Sequence, residues 1–184
     1  MRYEECWIPL LAHHSAGPDS DLTFLPPLDV HWVWHLHMLA PLSYREDLLA
    51  SRLGRIINHQ PRDPQSSQAG DLRQNTREKW LQLFPGEPFT SQSGAAGAVE
   101  QTGFSSSFTY DILKASSRQK VFYYQVSLPH FQDRAFLKSA IKRYCMFLQL
   151  KLYNPGVFLV PCYDIDIAWH SHQVSIYNFP INCS

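Results

Sequence analysis

Apolar residues recur at three- and four-residue steps over 133–152, where Phe136, Leu137, Ala140, Ile141, Tyr144, Phe147 and Leu148 form one stripe. That period predicts an amphipathic helix. Asp133 is placed to cap its start and Asn154-Pro155-Gly156 to end it. A second helix is predicted over 44–57, with Tyr44, Leu48, Leu49, Leu53, Ile56 and Ile57 on one side and Pro41 near its start. A third, over 71–84, turns Trp80, Leu81 and Phe84 inward, with Asp71 as cap, Gln74 at the capping-box position and Pro85-Gly86 as the stop. Residues 110–127 are helical in pattern. Residues 2–12 read as the end of a helix carrying Tyr3, Cys6, Trp7 and Leu10. Between these lie a polar loop at 13–21, a Pro/Gln/Ser loop at 59–70 and a Ser/Gly/Ala/Gln connector at 90–109. Phe158-Leu159-Val160 is a short extended piece.

One signature occurs twice. Leu28-Asp29-Val30-His31-Trp32-Val33-Trp34-His35-Leu36-His37 and Tyr163-Asp164-Ile165-Asp166-Ile167-Ala168-Trp169-His170-Ser171-His172 each follow a proline and read Asp, four residues, then Trp-His-x-His. Arg-Tyr stands upstream of each, as Arg2-Tyr3 and Arg143-Tyr144. In the first copy apolar and histidine positions alternate, and a strand would put His31, His35 and His37 on one face. The helical reading is preferred, because Asp29 and Asp164 stand just after prolines, where an N-cap belongs, and Leu28 and Val33 suit a hydrophobic staple. On a helix, residues two apart diverge by about 200°. His31 then shares a stripe with His35, and Asp166 with His170. Trp34 shares the other side with His37, and Trp169 with His172.

Two accounts of these side chains stand. Imidazole is a borderline metal ligand that titrates near neutrality, and four-residue spacing suits zinc helices. A divalent ion (zinc, iron or manganese) held by His31, His35, His37, Asp166, His170 and His172 is the chemical account. The structural account has histidines packed among tryptophans with their ring nitrogens satisfied. In it Asp29 and Asp164 cap helices or pair with Arg2 and Arg143, while Trp34 and Trp169 are core. Catalysis finds little support: G-x-S-x-G, H-E-x-x-H and a glycine-rich phosphate loop are all absent from the sequence.

Charge narrows the partners. Sixteen basic and sixteen acidic residues cancel, so the chain has no electrostatic footprint for nucleic acid or an anionic membrane. No apolar run is long enough to span a bilayer. The four cysteines, Cys6, Cys145, Cys162 and Cys183, form no C-x-x-C pair and are expected to be reduced and mostly buried, in the cytoplasm or nucleus.

The runs Arg2-Tyr3…Trp7-Ile8-Pro9-Leu10-Leu11-Ala12, Pro27-Leu28-Asp29…Trp32-Val33-Trp34-His35-Leu36-His37…Pro41-Leu42-Ser43-Tyr44, Phe122-Tyr123-Tyr124-Gln125-Val126-Ser127-Leu128-Pro129-His130 and Val160-Pro161-Cys162-Tyr163…Trp169-His170-Ser171-His172-Gln173 resemble the uncharacterised N-terminal domain of plant glycine-rich domain-containing proteins. The resemblance implies a general link to stress and developmental responses, and RNA binding by association. It carries over no catalytic residues. The chain departs from it in having eight glycines and no glycine-rich tail, and in lacking a second Pro-x-x-Tyr after Gln173.

The expectation is a mostly α single domain over 1–184, built as two pseudo-repeated halves (1–58 and 110–184) around an insert at 59–109, with short extended connectors. Its expected role is that of a non-enzymatic interaction or regulatory module with an unidentified protein partner. A metal site and an RNA-binding accessory domain are the alternatives.

Overall fold

The computed structural model describes residues 1–91 and 105–174, and among them every regular element is a helix. A π-helical turn, Tyr3–Trp7, runs into α1 (Ile8–His14). Then come α2 (Pro18–Asp21), α3 (Leu28–Met38), α4 (Pro41–Ala50), α5 (Ser67–Leu83) and α6 (Ile112–Val126). A 3-10 turn, Pro129–Gln132, leads to α7 (Arg134–Tyr153) and α8 (Tyr163–Val174). The mostly α class is as the periodicity predicts. The chain divides into two compact units, Met1–Ile112 and Leu113–Ser184.

In the first unit the core gathers Tyr3, Trp7, Leu10, Leu11, Val30, Trp34, Leu36, Leu48, Ile57 and Trp80. Trp7 and Trp34 meet at 5.9 Å between ring centroids. Trp34 Nε1 donates to Tyr44 Oη, which donates in turn to the Ile57 carbonyl, so buried polar atoms are satisfied in series. Four expectations shift here. The helix predicted over 44–57 is α4, which starts at Pro41 and stops at Ala50; Ser51 is extended and Gly54 takes φ +66°, a left-handed turn that glycine adopts without strain. Ile57 reaches the core from the loop that follows. The helix predicted from Asp71 begins earlier, because Ser66 Oγ caps it by accepting from Ala69 N. The polar loop at 13–21 contains the short α2. Asp29 lies inside α3, whose cap position is Pro27 without a side-chain bond.

In the second unit α7 packs along α8 and against the 3-10 turn. Asp133 Oδ1 accepts from Ala135 N as predicted, and Asn154 closes α7. Phe131 and Phe136 meet edge to face at 5.1 Å. Phe147 packs near Trp169, and the Lys151 ammonium lies over both rings. Cys6 is free and buried. Cys162 is free but exposed, and Cys145 is disulfide-bonded rather than reduced. Most of the connector at 90–109 lies outside the described residues.

Candidate functional site

The signature helix α3 presents two different environments. Its inner side carries His37, which is fully buried. Nε2 of His37 lies 3.1 Å from Asp47 Oδ2, and Nδ1 lies 3.2 Å from Tyr3 Oη. Asp47 also accepts from the backbone N–H groups of Thr109 and Tyr110. The partners fix the tautomer: Nε2 carries the proton toward the carboxylate, and the Tyr3 hydroxyl donates to Nδ1. Burial pushes the His37 pKa down, with Asp47 opposing. Both ring nitrogens are thus committed inside the core. Near the start of α3, Asp29 pairs with Arg2, whose guanidinium also meets Glu87 at 2.7 Å and the Pro88 and Phe89 carbonyls, and lies over the Trp80 ring.

The outer side of α3 faces a cavity of about 730 Å³. Phe24, Pro26, Pro27, Trp32, Trp34 and Phe89 give it apolar walls, and His31, His59, Asn58, Arg62 and Arg73 bring polar atoms to it. His31 Nε2 and His59 Nε2 face each other at 3.3 Å. Burial lowers the His31 pKa, so its ring is neutral at pH 7. Asn58 Oδ1 is buried with no hydrogen-bond partner. Next to this wall Asp21, itself buried, accepts twice from Arg55 (2.5 and 2.7 Å), once from Ser15 Oγ and once from Asn58 N. That network holds the backbone at Asn58, and with it the wall that carries His59.

The second unit repeats two of these pairings. Arg143 meets Asp164 at 2.5 Å, and Tyr144 Oη lies 2.7 Å from His172 Nδ1. No carboxylate among the described residues pairs with His172 Nε2. Asp166 and His170 approach to 3.6 Å, with His170 packed 4.3 Å from Phe122 between ring centroids. Desolvation governs both: it lowers the His170 pKa to about 4 and raises that of Asp166.

Among the predicted ligands, then, His31 meets His59 and not His35, which stacks on Trp32. His37 and His172 each meet a tyrosine. Among the described residues no group of three or more His, Cys, Asp or Glu side chains is close enough to hold a metal ion. The sequence reading missed Asp21, Asp47, Asn58, His59, Arg62 and Arg73. Asp47 lies ten residues beyond His37 on the next helix, and the buried side of α4 (Tyr44, Asp47, Leu48) was the available signal. Asp21, Asn58, His59 and Arg62 sit in or beside loops, where no periodicity marks them, and Arg73 lies on an exposed side of α5, where an arginine is ordinary.

A family model, glycine-rich domain-containing protein-like, matches residues 48–179. The chain belongs to this family. Glycine-rich domain-containing proteins 1 and 2 of Arabidopsis thaliana are 36% and 35% identical to it, over 182 and 180 residues. Each comparison covers 94% of the chain and 22% of the relative, so this member spans about a fifth of their length. No solved structure matches it. Among the family member's described residues no helix is long and apolar enough to cross a membrane.

Proposed function

We propose that this chain is a non-enzymatic binding module whose N-terminal unit holds a small ligand against the signature helix. The cavity beside α3 carries the reading: its size suits a small organic molecule, and its apolar walls with a few convergent polar groups are the usual character of such sites. Trp32, Trp34 and Phe89 favour a flat apolar body. Arg73, exposed on the same wall, favours an anionic end, and Asn58 Oδ1 would accept from a ligand N–H or O–H. The carboxylates best placed for acid–base work argue for binding over turnover. Asp21 and Asp47 are buried and already accept from several donors each. A regulatory role in stress or development is the biological form this module would take.

Tryptophan fluorescence tests it. Titration with planar aromatic carboxylates should give a saturable change, because two tryptophans line the cavity. Arg73→Ala should weaken the response at least tenfold, the cost of one charge-assisted contact. A flat response across such acids would remove the ligand-binding reading.

A further inference from the structure

We propose that His31 and His59 form the protein part of a divalent transition-metal site on the cavity wall, with the remaining coordination positions open to the cavity. The ion is of the borderline class that imidazole prefers, with zinc as its representative.

The geometry is the first argument. Nitrogens bound about 2.0–2.1 Å from a tetrahedral zinc are separated by roughly 3.3–3.4 Å along the edge of the tetrahedron. The two Nε2 atoms stand 3.3 Å apart. Support for the two rings is the second argument. His31 is fixed on α3, and the Asp21–Arg55 network bonds Asn58 N, the residue beside His59. Both ligands are thus presented by anchored backbone, which lowers the ordering cost of binding an ion. Third, a further donor lies on the same wall. Asn58 Oδ1 is buried without a partner, and a carbonyl oxygen can ligate the ion or accept from a water bound to it. Arg62 and Arg73 on the cavity wall then suit an anionic ligand in an open position.

The site does not depend on the organic ligand proposed above, and its test uses the ion alone. The 184-residue chain, stripped with chelator, is titrated with zinc chloride against a chromophoric competitor, and in parallel with cobalt(II) chloride. One equivalent should bind, and the cobalt form should show the intense visible bands of tetrahedral coordination. His59→Ala and His31→Ala should each weaken zinc at least tenfold, whereas His35→Ala should not change it. Imidazole ¹⁵N spectra of the unmodified chain give a second measure that needs no variant to fold. The Nε2 signals of His31 and His59 should move with zinc, and that of His35 should stay. Zinc affinity within twofold of wild type in the doubly substituted chain overturns the proposal. So does an octahedral cobalt spectrum, or Nε2 signals of His31 and His59 that do not respond to zinc.

Discussion

The two signature helices carry the same residues into different surroundings. Arg2 and Asp29 pair in one unit as Arg143 and Asp164 do in the other, and Tyr3 meets His37 as Tyr144 meets His172. Around α3 the Tyr3–His37 contact is sealed, while Arg2 and Asp29 keep 21% and 39% of their side chains exposed. His37 is fully buried, and a carboxylate completes its second nitrogen. Along α8 no residue is buried, and Arg143 keeps 43% of its side chain exposed. A shared motif therefore fixes which atoms meet but not how much that meeting contributes. The energy is set by what excludes water around it.

The sharpest way to break this contrast is to truncate the paired histidines. His37→Ala strands the Tyr3 hydroxyl in the core, takes one of two donors from Asp47 Oδ2 and leaves a void, so it should cost about 3–5 kcal/mol. His172→Ala, in a half-buried site, should cost about 1 kcal/mol. Urea unfolding of the two variants measures both. Equal losses would mean that burial is not what separates the units.

Next come the arginines. Arg2 pairs with Asp29 and Glu87, donates to two backbone carbonyls and covers Trp80, so Arg2→Ala should cost about 2 kcal/mol. Arg143→Ala should cost less than about 1 kcal/mol, the ordinary value for a solvated pair. High salt should narrow the gap little, since the Arg2 contribution is mostly hydrogen bonding and packing. A gap that vanishes in salt would mark it as long-range charge instead.

The helix caps serve as a control. Ser66, half-buried, and Asp133, exposed, both cap from loop ends, one in each unit. Ser66→Ala and Asp133→Ala should each cost about 1 kcal/mol. Similar values, read from thermal melts, would show that the two units respond alike at their helix ends.

Much of the fold could be read from spacing, because helices leave a local record. The stripe from Phe136 to Leu148, its Asp133 cap and its Asn154 stop lie within one helix, and α7 follows them. Errors arose where a local pattern had two solutions. Leu53, Ile56 and Ile57 continue the helical period of α4, yet the chain turns at Gly54 and Ile57 enters the core from a loop. Ser66 and Asp71 both suit a cap, and only the backbone decides between them. The cavity was less legible still. His31 and His59 are 28 residues apart, and His59 sits in a loop whose composition predicts nothing. Asp21 and Arg55 are 34 apart. Such pairings exist only once α3, α4 and α5 are packed, so the motif pointed to His31 while its partner stayed hidden.

Acid should separate the units by the smallest margin. Burial lowers the His170 pKa from 6.5 to about 4. The folded state therefore keeps that ring neutral where the unfolded chain would take up a proton. This contribution to stability is complete above about pH 6.5 and is lost as the pH falls toward about 4. Asp166 works in the opposite sense. Burial raises its pKa above 3.8, so the folded state binds its proton more readily, and acidification through that lower range returns part of the loss. His31 and His37 are lowered as well, so the first unit also weakens as the pH drops below 6.5. Replacing His170 with Gln should flatten the pH dependence of amide-exchange protection along α8 between about 6.5 and 4, and leave that of α3 unchanged. If the α8 slope survives the substitution, His170 is not the group that titrates, and the half-exposed signature is less sensitive to acid than its desolvated imidazole implies.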